Sequence, residues 1–169
     1  MGFFSWLFSQ PTSTQLPVVS TILPSAAENE IRNGRLPHLN TDTIFTQKHE
    51  HIHYIDKAIL LKDKTKKHYQ SRRTGFSTPG IFNGDRIYFG GGTNTPVEEI
   101  VTEKFKGVLY ITNRRAVFVS KKNGFDKPFR SLSAITPYSN GIELQYGSTT
   151  YSLIVPDGDL LNAVFKLIN

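Results

Sequence analysis

The chain has 169 residues, of which 38% are hydrophobic and 20% charged, enough for one sizeable domain with a buried core and an appendage. It has no cysteine, which excludes disulfide frameworks, cysteine-ligated zinc and cysteine nucleophiles. The formal charge of +6 is uneven: residues 1–50 carry −1, 51–130 carry +9 and 131–169 carry −2. A basic middle favours anionic partners, namely acidic lipid, acidic protein or, less well matched, nucleic acid. The plainer alternative is a solvated basic surface that aids solubility.

Met1–Phe8 is apolar and aromatic, and far shorter than the roughly 20 residues that span a bilayer. It has no basic n-region and no small-residue cleavage site, so it does not read as a secretory signal. Gly2 invites myristoylation, but that motif wants Ser or Thr where Trp6 stands. As a helix, the segment would gather Phe3, Phe4, Leu7 and Phe8 on one face. With Trp6, that face suits insertion at a membrane interface, docking into a partner's groove, or packing on the chain's own domain. Ser9–Pro24 holds Pro11, Pro17 and Pro24 among Ser, Thr and Gln, the composition of a linker.

Ser25 is a candidate N-cap, with Glu28 three residues on as a capping box. A short helix is predicted over Ala26–Asn33, with Gly34 at its C′ position. Another helical turn is expected over Thr41–Gln47. These residues, 25–47, form a lead-in between the segment at 1–24 and a domain at 48–169.

His49–Leu61 opens that domain. His49, Glu50 and His53 match H-E-x-x-H, which on a helix would make a zinc hydrolase site. Ile52, Tyr54, Ile55 and Ile59 favour a strand instead. On a strand His49, His51 and His53 share one face, a loose option for a transition metal. A half-exposed first strand with no metal and no cofactor is the plainer expectation. Lys62, Lys64, Lys66, Lys67, Arg72 and Arg73 form the densest charge run and are read as lying in or beside a connection between strands. Converging ammonium and guanidinium groups can clamp a phosphate. A solvated loop protected by lysines is the alternative.

Turns are predicted at Pro79-Gly80 and Asn83-Gly84, a short strand at Arg86–Phe89, and a flexible or bulged stretch at Gly90–Gly92. Neither the P-loop nor the dinucleotide-binding glycine pattern is present. Val97–Lys106 reads as strand or loop. Gly107–Thr112 and Ala116–Lys121 are rich in Val, Ile, Tyr and Phe and flank Asn113-Arg114-Arg115, which predicts a hairpin. Asn123-Gly124 marks the next turn. Basic residues continue at Lys122, Lys127 and Arg130. Strands are expected at Phe129–Ala134, Gly141–Tyr146 and Thr150–Val155, with Ile142, Leu144 and Tyr146 inward and Glu143 and Gln145 outward. Asp157–Asn169 predicts a helix capped by Asp157, with Leu160, Leu161, Val164 and Phe165 on its apolar stripe.

The pattern G-x-L-x-x-T-N-R-R-x-x-F, carried by Gly107, Leu109, Thr112, Asn113, Arg115 and Phe118, resembles the central hairpin of bacterial PH-like and GRAM-like domains. The resemblance covers roughly residues 48–169. It implies a mainly β barrel of two orthogonal antiparallel sheets of seven or eight short strands, closed by the C-terminal helix. It also implies a Glu at the start of the first strand, where Glu50 stands, and an Arg at the hairpin corner, Arg115, that bonds nearby carbonyls. In related domains an early loop gathers basic residues around a lipid headgroup, which points to Lys62–Arg73. The expectation is therefore a non-catalytic binding module, cytoplasmic and peripheral at the inner membrane face, that meets acidic phospholipid. The alternatives are a protein-interaction adaptor using the N-terminal aromatic segment, with homo-oligomers possible through it, and the zinc hydrolase.

Overall fold

The computed structural model describes residues 16–79 and 86–169, and of 68–79 and 86–96 the backbone only. The aromatic segment Met1–Phe8 and the predicted Asn83-Gly84 turn lie outside these residues. Seven strands form one antiparallel sheet: β1 (Ile52–Pro79), β2 (Arg86–Thr112), β3 (Arg115–Ser120), β4 (Phe125–Pro128), β5 (Ala134–Tyr138), β6 (Gly141–Tyr146) and β7 (Thr149–Ile154). Their order is β4-β3-β2-β1-β7-β6-β5, so the first strand lies in the middle. The sheet is not closed, and it is one sheet where the family likeness implies two. Among the described residues two helices accompany it, α1 (Ser25–Arg32) and α2 (Gly158–Ile168).

The described residues divide into two units. One comprises residues up to Lys62 and from Glu103 onward; the other is Asp63–Thr102. The second unit corrects the reading of the charge run. Residues 62–73 lie inside β1, which is 28 residues long, rather than in a connecting loop. The usual strand has 3–10 residues. Gly90–Gly92 likewise belongs to β2 and makes no loop. Thr102 Oγ1 donates to Asp63 Oδ1 at 2.7 Å, and Lys67 pairs with Glu98 at 3.2 Å. Both contacts fit one antiparallel register of β1 against β2.

In the first unit the hairpin runs in register from Gly107 opposite Ser120 to Ile111 opposite Ala116. Arg115 joins β3, so only Asn113 and Arg114 make the corner. Phe129–Ser131 is a 3-10 turn rather than a strand, and β5 starts at Ala134. The preceding Pro128 closes β4. Glu143, expected to face outward, is buried and accepts from Ser152 Oγ at 3.2 Å and Tyr138 Oη at 3.4 Å. Alternation fails at Glu143, where Ser152 and Tyr138 cover the second face, and holds at Gln145, which is exposed.

One face carries the main core, with Tyr54, Leu109, Phe118, Leu144 and Leu153 fully buried. Phe125 of β4 meets Tyr151 of β7 at 4.2 Å between ring centres, and Tyr146 of β6 donates to the Lys127 carbonyl at 3.3 Å. These contacts bring strands from opposite halves of the sheet together. The other face holds Ile59, Leu61 and Ile154, with Leu16 and Val19 packed on them. Residues from Leu16 to Leu23 are therefore a strap, not the free linker their composition suggests. The strap is fastened at Asp56, which accepts from Thr21 Oγ1 and the Ile22 N–H, both at 2.7 Å.

Helix α1 starts one residue earlier than predicted and lacks the capping box. Pro24 holds the cap position, and Glu28 instead bonds Arg32 at 2.9 Å. Gly34 takes φ 75° just after the helix, as a C′ glycine should. Thr41–Gln47 forms bends and no helix.

Helix α2 follows its prediction. Asp157 accepts from the Leu160 N–H at 2.9 Å, and Leu160, Leu161, Val164 and Phe165 are buried. Its first residue, Gly158, sits against the β5–β6 turn, and a Cβ there would lie 1.9 Å from the Tyr138 carbonyl oxygen. Gly158→Ala should therefore cost about 1–3 kcal/mol of stability in urea unfolding. An unchanged midpoint would show that the helix shifts freely over the turn.

Candidate functional site

Sheet register builds the first candidate feature. Because Gly107 pairs with Ser120, Lys106 follows onto the side of Lys121, where β2 begins its core half and β3 ends. The loop Lys121–Gly124 then turns into β4. Here Lys104, Lys106, Lys121 and Lys122 line an open hollow of about 720 Å³ with Ser120 and Asn123. Lys62 joins it, its Nζ donating to Asn123 Oδ1 at 3.4 Å. Each lysine is exposed. Five ammonium groups on one rim of the fold make a concentrated positive surface.

The sequence-predicted anion residues meet this feature only in Lys62. Lys64, Lys66 and Lys67 lie in the second unit, alternating along β1, with Lys67 engaged by Glu98. Alternation along the strand puts Lys64 and Lys66 on one face and Lys67 on the other, so the run is split between two faces rather than gathered around one point. The side chains of Arg72 and Arg73 lie outside the described residues. Lys104 and Lys106 were missed. The signal that finds them is the hairpin register, which carries Lys121 back to Lys106.

The H-E-x-x-H residues take structural roles. His49 sits in a turn with φ 62°, and Ile52 already begins β1, so no helix presents the motif. The Glu50 side chain is fully buried. Its carboxylate accepts from Arg115 Nε at 2.8 Å, Thr112 Oγ1 at 2.9 Å and the Gln47 N–H at 2.7 Å. Burial pushes the Glu50 carboxyl up, but these hydrogen bonds outweigh it and hold the group below its ordinary range. Arg115 also bonds Asp126 and the Phe45 carbonyl.

The imidazoles cluster differently from the expected His49, His51 and His53. The ring of His38 lies 4.9 Å from that of His51 and 5.5 Å from that of His53, edge to face. His38 stands in the lead-in and no spacing rule points to it. His53 is buried, and its Nδ1 bonds the Pro37 carbonyl at 2.8 Å. Among the described residues, no group of three His, Asp or Glu is placed to hold a metal ion. Burial lowers the His53 pKa, the bond to Pro37 raises it, and His38 and His51 lower it further.

No helix among the described residues is long and apolar enough to cross a membrane. Comparison with family models, curated proteins and solved structures finds no match for this chain.

Two predictions follow from the buried groups. Removing the guanidinium in Arg115→Ala leaves Glu50 buried and unpaired, which should cost about 3 kcal/mol. Replacing both residues with Met should recover part of that loss, and chemical denaturation of the two variants measures the difference. For His53, the folded pKa lies below that of the unfolded chain, about 6.5. The unfolded chain takes up the proton first, so stability should fall as pH drops through 6.5 toward the folded value. His53→Asn keeps a donor for Pro37 without the titration and should flatten that slope between pH of about 7.5 and 5. Parallel slopes would assign the acid sensitivity elsewhere.

Proposed function

We propose that this chain is a non-catalytic binding module that rests on acidic phospholipid surfaces. The observation that carries the reading is the hollow lined by Lys104, Lys106, Lys121 and Lys122, with Lys62 at its side. Each basic residue near an anionic leaflet contributes about 1 kcal/mol, so five together hold a small protein reversibly. Glu103 lines the same hollow, so five ammonium groups stand there against one carboxylate and leave it a net positive surface. The hollow is wide and open rather than a closed pocket, which suits a headgroup layer better than a small substrate.

The same reading makes the first unit a PH/GRAM-like domain. It is supported by the meandering strand order, by the helix α2 packed on the core, and by the contacts of Phe125 and Lys127 with Tyr151 and Tyr146. The non-catalytic assignment is supported by the fate of Glu50. A general base needs a free carboxylate near substrate, whereas this one is saturated by Arg115, Thr112 and Gln47.

Vesicle flotation tests the proposal with the whole chain. Phosphatidylserine-containing vesicles should carry the protein, and neutral phosphatidylcholine vesicles should not. The double reversal Lys121→Glu and Lys122→Glu should remove most of the binding, as should salt of about 0.5 M. Equal flotation with neutral vesicles, or none with either, would reject the lysine hollow as a lipid surface.

A further inference from the structure

A second cationic site lies at the opposite end of the β2–β3 hairpin. The corner Asn113-Arg114 and the chain after β4 enclose a hollow of about 470 Å³, lined in part by Arg114, Arg115, Arg130, Pro128 and Phe129. Its three arginines are not equivalent. Arg115 is consumed by Glu50, Asp126 and the Phe45 carbonyl. Arg114 and Arg130 are exposed, and neither side chain has a hydrogen-bond or ion-pair partner among the described residues. The backbone around them is fixed: Phe129 N–H donates to the Arg114 carbonyl at 2.8 Å, which ties the two sides of the hollow together.

Phe45 adds an apolar element. Its carbonyl accepts from Arg115, so the residue is held at this site, yet it is 92% exposed. With its backbone tied to Arg115 and its side chain exposed, Phe45 joins Arg114 and Arg130 in giving this end of the hairpin the residue types, aromatic and Arg, that dominate interface hot spots. Phe129, half-buried, and Pro128 supply further apolar surface inside the hollow.

We propose that this site binds an acidic peptide segment of a partner protein, in which carboxylates flank a bulky apolar side chain. Arg114 and Arg130 take the carboxylates through their planar forks, which match that group in two-point fashion. The apolar side chain enters the hollow against Phe129 and Pro128, and Phe45 covers it. A membrane does not fill this role while resting on the lysine hollow. From Lys106 to Asn113 the strand advances seven residues, roughly 20 Å, so the two sites occupy opposite ends of the hairpin. A second copy of the chain is disfavoured at this face by its own charge of +6. The inference stands without the lipid reading, because its residues and its ligand differ.

The test uses the full-length protein and a fluorescein-labelled peptide, Glu-Glu-Leu-Phe-Glu-Glu, with a control in which Lys replaces Glu. Fluorescence polarisation should show saturable binding of the acidic peptide alone. Amide resonances of residues 113–115, 129 and 130 should shift on titration. The charge reversal Arg114→Glu with Arg130→Glu should weaken binding at least tenfold, about the effect of losing one strong charged contact. Phe45→Ser should weaken it several-fold. Both variants should keep the wild-type melting temperature, since these side chains are exposed, and should still float with anionic vesicles. No saturable binding below ~1 mM would overturn the proposal. So would equal binding of the Lys peptide, or shifts confined to other residues. If the arginine variant instead loses vesicle flotation, the face belongs to lipid. If it loses a concentration-dependent increase in mass, the face joins two copies. Either result overturns the peptide assignment.

Discussion

The buried pair of Glu50 and Arg115 is the contact on which the first unit depends. It joins four parts of the chain at one point. Gln47 and Glu50 come from the segment just before β1, Thr112 from the end of β2, Arg115 from the start of β3, and Asp126 from β4. A carboxylate taken out of water carries a large desolvation cost, which only several good hydrogen bonds offset. That requirement fixes the corner of the hairpin to the strand entrance. The fixed corner in turn sets which residues appear at each end of the hairpin. One end presents lysines and the other arginines, and both candidate sites inherit their geometry from this single node.

The strap and the histidine cluster attach the lead-in to the same body. Asp56 collects the Thr21 hydroxyl and the Ile22 N–H while Lys57 N–H donates to the same carboxylate at 2.8 Å. Leu23, Ala27 and Ile31 then complete the core from outside the sheet. The segment before β1 is thus part of the folded unit rather than an accessory. Its contribution to the core is apolar, at about 1.5–3 kcal/mol per fully buried aliphatic side chain.

Much of this architecture was legible in the residues. The hairpin, the Asn123-Gly124 turn, β6, β7 and helix α2 follow from alternation, turn chemistry and a capped apolar stripe. These are local signals, and the local physics decided the outcome. The misreadings came from interactions remote in sequence. The Pro-rich stretch at 16–24 reads as linker, but Asp56, more than thirty residues on, supplies its hydrogen bonds. Lys62–Arg73 reads as a loop because charge and turn residues look alike in composition. Only the partner strand β2 makes that run extended. Glu143 was placed outward by alternation, and the buried Ser152 hydroxyl with the half-buried Tyr138 overrode it. The cationic sites split in the same way. The residues around Asn113–Arg115 are adjacent in the sequence, while Lys104, Lys106 and Lys121 meet only through strand register.

The end strands of the sheet decide how the first unit can be approached. Strand β5 carries Pro137, which has no N–H to offer to an incoming chain, and β4 is four residues long and ends at Pro128. An added strand therefore finds no continuous ladder at either end strand. Recognition by backbone pairing, which tolerates many side chains in the ligand, is closed off there. Binding to this unit has to run through side chains, and a small number of substitutions can redirect it. Change in the ligand over evolution would then appear as exchanges at a few exposed arginines, lysines and aromatics while the sheet stays as it is.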